Sequence, residues 1–422
     1  MKQLSKMMLA AVASVALATT AFAWDFSASG SSTASFNVTT TKANKDAVNT
    51  VTSGGVSSSL GSLALSSSHT DGAKTLALSY TLDWDGNLDE TIALSGSSTV
   101  GAWTASGGIS YNRANRGGCS NAADDNTSAT STAAGVAACG ATGQVAEKSE
   151  AAITLTDGTM TITFGNAGHL AGQNVSSGGA AAGQTTMDEG SGGYAVGAEA
   201  GVGAMVGTYQ GVSLGYAISD TMSVTGAYQA SSATGDLMGT GEFLDGETAA
   251  SHGTTGFGIG FSGTFGPATI GFTQASASTA DGTGDADLSK LSTSWSTMGL
   301  GVAIDLGDID PFISYGSGTG SAGSAANKTV AHTHSGSEFG LTYALGTDSV
   351  VLLVGSTSDQ MSTTDKPLVK SFTELGYSTT VGPASLSVGY GSVTHADADK
   401  VVEAGGDGYA VTDIEVSMGL SF

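Results

Sequence analysis

The sequence predicts an all-β protein, a transmembrane antiparallel β-barrel of 16–18 strands with short periplasmic turns and long extracellular loops. Three observations carry this. Apolar and polar side chains alternate with a period of two along most of the chain. The connections between alternating stretches are short and long by turns. The chain also opens with an export leader and offers no long apolar helix.

The opening "MKQLSKMMLAAVASVALATTAFAWDF" places Lys2 and Lys6 before an apolar run from Met7 to Ala18, then Ala21-Phe22-Ala23. A basic n-region, a short apolar core and a small-x-small site make residues 1–23 a secretory signal peptide. The mature chain, 24–422, would start at Trp24. No later segment reaches the roughly 18 apolar residues of a spanning helix. An exported chain that enters a membrane without helices must do so as a closed barrel, because only helices and barrels satisfy every backbone polar group in lipid.

The strands follow in order. Trp24, Phe26, Ala28, Ala34, Phe36 and Val38 share one parity and mark a long first strand; Leu63 and Leu65 mark a second. Leu76 to Trp84 follows "TDGAK". Ile92 and Leu94 follow "DGN", the one hairpin whose omission would leave 16 strands. Trp103 to Tyr111 then follows a tight "TVGA". Further on, Val212–Ile218 meets Met222–Tyr228 across "SDT", and Phe257–Phe265 meets Ala268–Phe272 across "GPA". Met298–Leu306 returns through "GDID" to Ile313 and Tyr315. Phe339–Leu345 turns at "GTDS" into "VVLLVG", and Leu375–Val381 turns at "GPA" into Leu386–Tyr390. Such Gly-, Asp- and Pro-rich turns are those that tight hairpins require. Long polar stretches lie between the hairpins: 113–148, 166–207, 230–254, 275–290, 317–336, 357–370 and 392–408. This asymmetry belongs to outer-membrane barrels. Trp84, Trp103, Tyr111, Tyr228, Tyr315 and Tyr390 near strand ends suit interfacial girdles.

The final stretch, "TDIEVSMGLSF", sets Ile414, Val416, Met418, Leu420 and Phe422 against Asp413, Glu415, Ser417, Gly419 and Ser421. A strand that runs to the last residue suits a barrel whose last strand pairs with its first and leaves no free edge.

Composition agrees. Four prolines suit long strands, because proline removes a ladder hydrogen bond. Thirteen basic residues against 37 acidic ones, a formal net charge of −24, disfavour nucleic acid and anionic headgroups and favour cations as partners. No nucleophile elbow, HExxH or GxxxxGK[ST] motif occurs, so the sequence suggests no enzyme and no cofactor.

With the leader, the hairpin series and the terminal "MGLSF" in hand, the chain resembles the Gram-negative general diffusion porins. "DGTMTITFGNAGH" (157–169) resembles the strand leading into the loop folded back inside the pore, and "VGAEAGVGAMVGTYQGVSLGYAIS" the return to the wall. The resemblance implies a constriction loop over 165–193 and a homotrimer. It also implies an assembly signal, formed by Phe422 with Leu420 and Met418, that is read by the barrel-assembly machinery. The surroundings would be outer-membrane lipid and lipopolysaccharide. The chain departs from the family by an extra hairpin ahead of the loop and by having only Arg113 and Arg116 as arginines.

Asp188 and Glu189 fall late in that loop, where paired carboxylates in a narrow passage attract cations; the other reading is a solvated pair. Arg113 and Arg116 in "NRANRGG" are either a basic spot facing the acidic loop or exposed charges. Cys119 and Cys139, the two cysteines, share one long loop of an exported chain and are read as a disulfide. Closing that loop would limit unfolded-state freedom by roughly 3 kcal/mol. "DGTGDADL" lacks the closing Glu of a calcium loop, and His332 and His334 read as exposed loop residues, so no metal site is expected. The function expected is passive diffusion of small hydrophilic solutes and small cations across the outer membrane. The alternative is a structural or adhesive barrel with an acidic surface coat.

Overall fold

A computed structural model describes residues 25–42, 50–59, 61–84, 88–113, 152–167, 170–176, 209–232, 254–279, 291–324, 327–360, 368–395 and 410–422. Nearly all of them are strand. β1 (Asp25–Lys42), β2 (Thr50–Ser59), β3 (Ser62–Asp71), β4 (Lys74–Trp84), β5 (Leu88–Val100), β6 (Trp103–Arg113) and β7 (Ala152–Thr156) are followed by β8 (Met160–Ala167). One helical turn, α1 (Gln173–Ser176), precedes β9 (Tyr209–Ser219) and β10 (Met222–Ser232). Then come β11 (Thr254–Phe265), β12 (Ala268–Thr279), β13 (Leu291–Ile304), β14 (Ile309–Ser324) and β15 (Asn327–Leu345). β16 (Asp348–Gln360), β17 (Leu368–Val381), β18 (Ala384–His395) and β19 (Ala410–Ser421) complete the order.

The strands form one antiparallel sheet in which β1 also pairs with β19, so the order closes into a barrel. β1 is long enough to pair with β2 along one part and with β3 along another, Asp25 opposite Ser68 and Gly30 opposite Leu63. β2 and β3 are therefore two segments of one barrel strand, broken beside Gly61, whose φ of 70° a side chain would disfavour. Nineteen segments make 18 strands, the upper figure of the expected range. The hairpin around 85–87 exists as β4 and β5, in register from Lys74–Ser98 to Trp84–Leu88.

Contacts divide the chain into two compact units. The first holds 1–33, 59–157 and 420–422; the second holds 34–58 and 158–419. In the first, Leu76, Leu78, Ile92, Leu94, Ile109 and Ile153 present one exposed apolar face. The reciprocal pair Gly30 N to Phe422 O (2.7 Å) and Phe422 N to Gly30 O (2.9 Å) ties the end of the sequence to β1.

In the second unit the alternation is plainer. Val212, Leu214, Tyr216, Phe257, Met298, Leu300, Ile313, Phe339, Leu375, Val388, Ile414 and Met418 are all exposed. Residues of opposite parity on these strands, such as Ser213, Thr273, Thr297, Ser314, Glu338, Glu374, Asp413 and Glu415, are buried. Tyr228, Tyr315 and Tyr390 are exposed on the apolar face as expected, and Tyr216, Tyr343 and Tyr377 join them. Apolar area repeated on strand after strand far exceeds the few hundred Å² that soluble monomers expose, and it matches a lipid-facing band. The polar face is the inner one. It also carries a small apolar cluster of Phe312, Leu353, Phe372 and Val393. The Phe312 and Phe372 rings occupy the space a side chain would take at Gly340 and Gly355 on neighbouring strands.

Two sequence expectations are corrected. The stretch 317–336 is not a long loop: β14 and β15 continue through it, with Gly316 opposite Gly336 and Ser324 opposite Asn327. The backbone ladder persists where the side chains are polar on both faces, because it needs only amides. His332 and His334 consequently lie in β15, opposite Gly320 and Gly318, and not in a loop.

Closure within the second unit is marked by a buried bond: Thr39 Oγ1 of β1 donates to Asp413 Oδ1 of β19 at 2.8 Å. Thr39→Ala deprives a buried carboxylate of its donor and is expected to cost about 1–3 kcal/mol, read from the urea midpoint of the refolded barrel. Thr39→Ser keeps the hydroxyl and should recover most of that loss.

Candidate functional site: the inner face of the barrel

Two features of the inner face of the second unit can bear function. The first is acidic. Glu338 on β15, Glu374 on β17, and Asp413 and Glu415 on β19 all point to the polar side and are almost fully buried. Their places follow from the period of two: each alternates with outward residues, as Glu374 does with Thr373 and exposed Leu375. Ser314 Oγ donates to Glu338 Oε1 at 2.6 Å, and Thr39 holds Asp413. Glu338 Oε2 and Asp413 Oδ2 accept no hydrogen bond from the described residues. Glycines stand opposite two of the acids across the ladder, Gly355 opposite Glu338 and Gly391 opposite Glu374, and the Phe372 ring fills the space beside Gly355. The buried polar and charged residues on this face include no lysine or arginine among those described.

The second feature is a seated segment. Residues 170–176 lie against the inner face of β10 to β13. Leu170, Gln173 and Ser176 are buried, with Ser176 completely so. The Ala171 amide donates to Thr225 Oγ1 on β10 at 3.3 Å, and Ser176 Oγ lies 3.2 Å from Thr273 Oγ1 on β12. The turn is braced from within: Ser176 N donates to Gly172 O at 2.9 Å, and the Leu170 amide donates to Gln173 Oε1 at 3.1 Å. Gly172 has a φ of 79°, the left-handed conformation that lets the chain bend here.

Of the residues expected to form the pore constriction, Asp188, Glu189 and Arg116 lie outside the described residues. Arg113 closes β6 with its Cα opposite that of Glu90. Cys119 and Cys139 lie outside the described residues as well. Phe422, Leu420 and Met418 are described, and all three side chains are exposed. Among the described residues no group of three or more His, Cys, Asp or Glu is placed to hold a metal ion. Sequence reasoning passed over Glu338 and Glu374. Their signal was an acid at the inward parity of a strand whose outward positions are apolar.

No family model matches the chain, and no curated protein matches its sequence. Solved structures do match. The anion-selective porin from Comamonas acidovorans aligns over 94% of this chain and 100% of its own, at 12% identity and a TM-score of 0.50. The outer membrane channel DcaP of Acinetobacter baumannii aligns over 94% and 97%, at 11% identity and a TM-score of 0.48. The outer-membrane expressed OmpT of Vibrio cholerae aligns over 95% and 98%, at 10% identity and a TM-score of 0.47. At these identities the likeness concerns the fold. The first of them, taken with the closed antiparallel sheet and its outward apolar band, makes this chain a transmembrane β-barrel with the fold of the outer-membrane porins.

Proposed function

We propose that the chain is an outer-membrane porin, passing small hydrophilic solutes and ions by diffusion through a water-filled lumen, with a preference for cations. One observation carries the reading: the strands turn apolar side chains outward and polar ones inward around a closed ring. Export would follow from the leader at 1–23, insertion from recognition of Phe422, Leu420 and Met418 by the barrel-assembly machinery, and trimerisation from the shared architecture.

The cation preference rests on the charge of −24. Glu338 and Glu374 are too enclosed to serve as open ligands. The charge that acts on the lumen is that of acids in reach of water, which lowers the energy of a cation there and raises that of an anion. Narrowing would come from 165–193, whose residues 170–176 lie on the inner face, and Asp188 and Glu189 would add charge at the constriction.

The test is single-channel recording in a planar bilayer under a salt gradient. The reversal potential should have the sign of a cation-selective pore. The double substitution Asp188→Asn with Glu189→Gln should move it toward zero without abolishing conductance. An anion-selective wild type overturns the charge argument, and an absence of channels favours the surface-coat reading.

A further inference from the structure

Three glycines of the inner face stand where the seated segment touches the wall. Gly260 is on β11, Gly271 on β12 and Gly301 on β13; Gly271 lies directly opposite Gly301, and Gly260 opposite Thr273. A Cβ at Gly260 would overlap Ala171 O and come within 2.9 Å of Ala171 N. One at Gly271 would overlap Gly172 O and come within 2.6 Å of Val175 Cβ. One at Gly301 would overlap Val175 O and come within 2.8 Å of Ser176 Cα. The nearest obstacle is a backbone carbonyl oxygen in every case, and it cannot swing aside as a flexible side chain would. Glycine in a strand interior otherwise weakens it, and its usual justification is the close approach of another backbone. By contrast, a Cβ at Gly226 on β10 would meet nothing within 4 Å.

We propose that Gly260, Gly271 and Gly301 form a side-chain-free seat that fixes the depth at which residues 170–176 lie against the wall, and so sets the bore of the channel. The inference rests on the porin reading for its functional half, since a bore matters only if the lumen conducts. The three positions are spread over adjacent strands, so the segment is supported across its length and not at one point. The hydroxyl pair Ser176–Thr273 and the Ala171–Thr225 bond fix its position along the wall, while the glycines fix its distance from it. A methyl group at any of them would lift the segment toward the lumen axis or unseat it. The seat is thus a positioning device for the constriction, built from residues that never face the solute.

Two experiments read the two halves separately. In the first, Ser176→Cys is combined with Thr273→Cys, and the intact barrel is oxidised and mapped by peptide mass. A disulfide should join positions 176 and 273, with conductance close to that of the uncross-linked protein. In the second, Gly271→Ala and Gly301→Ala should change single-channel conductance and the size limit for uncharged sugars, while the barrel keeps its heat-resistant gel mobility. Gly226→Ala should change neither. Failure of the cross-link in a barrel that conducts normally overturns the seat and leaves the porin intact. A cross-link in a protein that forms no channels retains the seat as structure and overturns its pore role together with the porin reading. Conductance unchanged in both glycine variants, with the cross-link present, overturns the claim that the seat sets the bore.

Discussion

Leu375→Arg is expected to be among the most damaging single changes on the strand surface. Leu375 sits mid-strand on β17, exposed, between Leu352 of β16 and Tyr390 of β18. On a surface that faces hydrocarbon, a guanidinium costs about 2–4 kcal/mol at the bilayer midplane. Leu214→Arg on β9, exposed in the same way, should cost a similar amount. The inward Ser387→Arg on β18 should cost far less, because its side chain would reach the polar face. The measurement is the urea midpoint of each variant refolded into lipid vesicles. A soluble protein would show the opposite order, since an exposed leucine there could become arginine freely.

Deleting Phe422 should produce the second large effect, and mainly in the cell. The deletion removes two backbone hydrogen bonds to Gly30, each worth about 0.5–1.5 kcal/mol, together with an aromatic ring that is 73% exposed. Thermodynamically this is modest for a barrel of this size. If Phe422 with Leu420 and Met418 is what the assembly machinery reads, the folded protein recovered from membranes should fall much further than the in-vitro midpoint. Phe422→Ala separates the two, keeping the backbone pair while losing the ring. Equal membrane recovery of all three proteins would remove the assembly role. Gly30→Val is a related probe, because its side chain would collide with the Phe422 ring.

The strand faces were legible because a period of two is written directly in side-chain polarity, as at Phe257, Ile259 and Phe261. The turns were legible because Gly266-Pro267 and Gly346 supply conformations that few other residues adopt. The stretch 317–336 was not, since its residues are mostly small and polar at both parities, so the alternation disappears from the sequence while the ladder continues. The seat escaped for a related reason. Gly260, Gly271 and Gly301 occupy inward positions where any small residue satisfies the pattern. "GFGIGFSG" (256–263) does hold a clue, because glycine fills consecutive inward positions where Ser or Thr would serve the strand better. Asp413 and Glu415 were visible as the polar half of the final strand. Glu338 and Glu374 were hidden among outward-facing neighbours until register placed them on the same side as Ser314 and Leu353.

The claim beneath all of this is that hydrocarbon wets one side of each strand and water the other. Nitroxide labels placed singly at residues 373 to 379 of β17, in the protein refolded into vesicles, test it directly. Collision with oxygen should peak at 373, 375, 377 and 379 and fall at 374, 376 and 378, which turn inward. Labels at the odd positions shielded from oxygen would mean that those side chains pack into a protein core, and the barrel would have no lipid-facing surface.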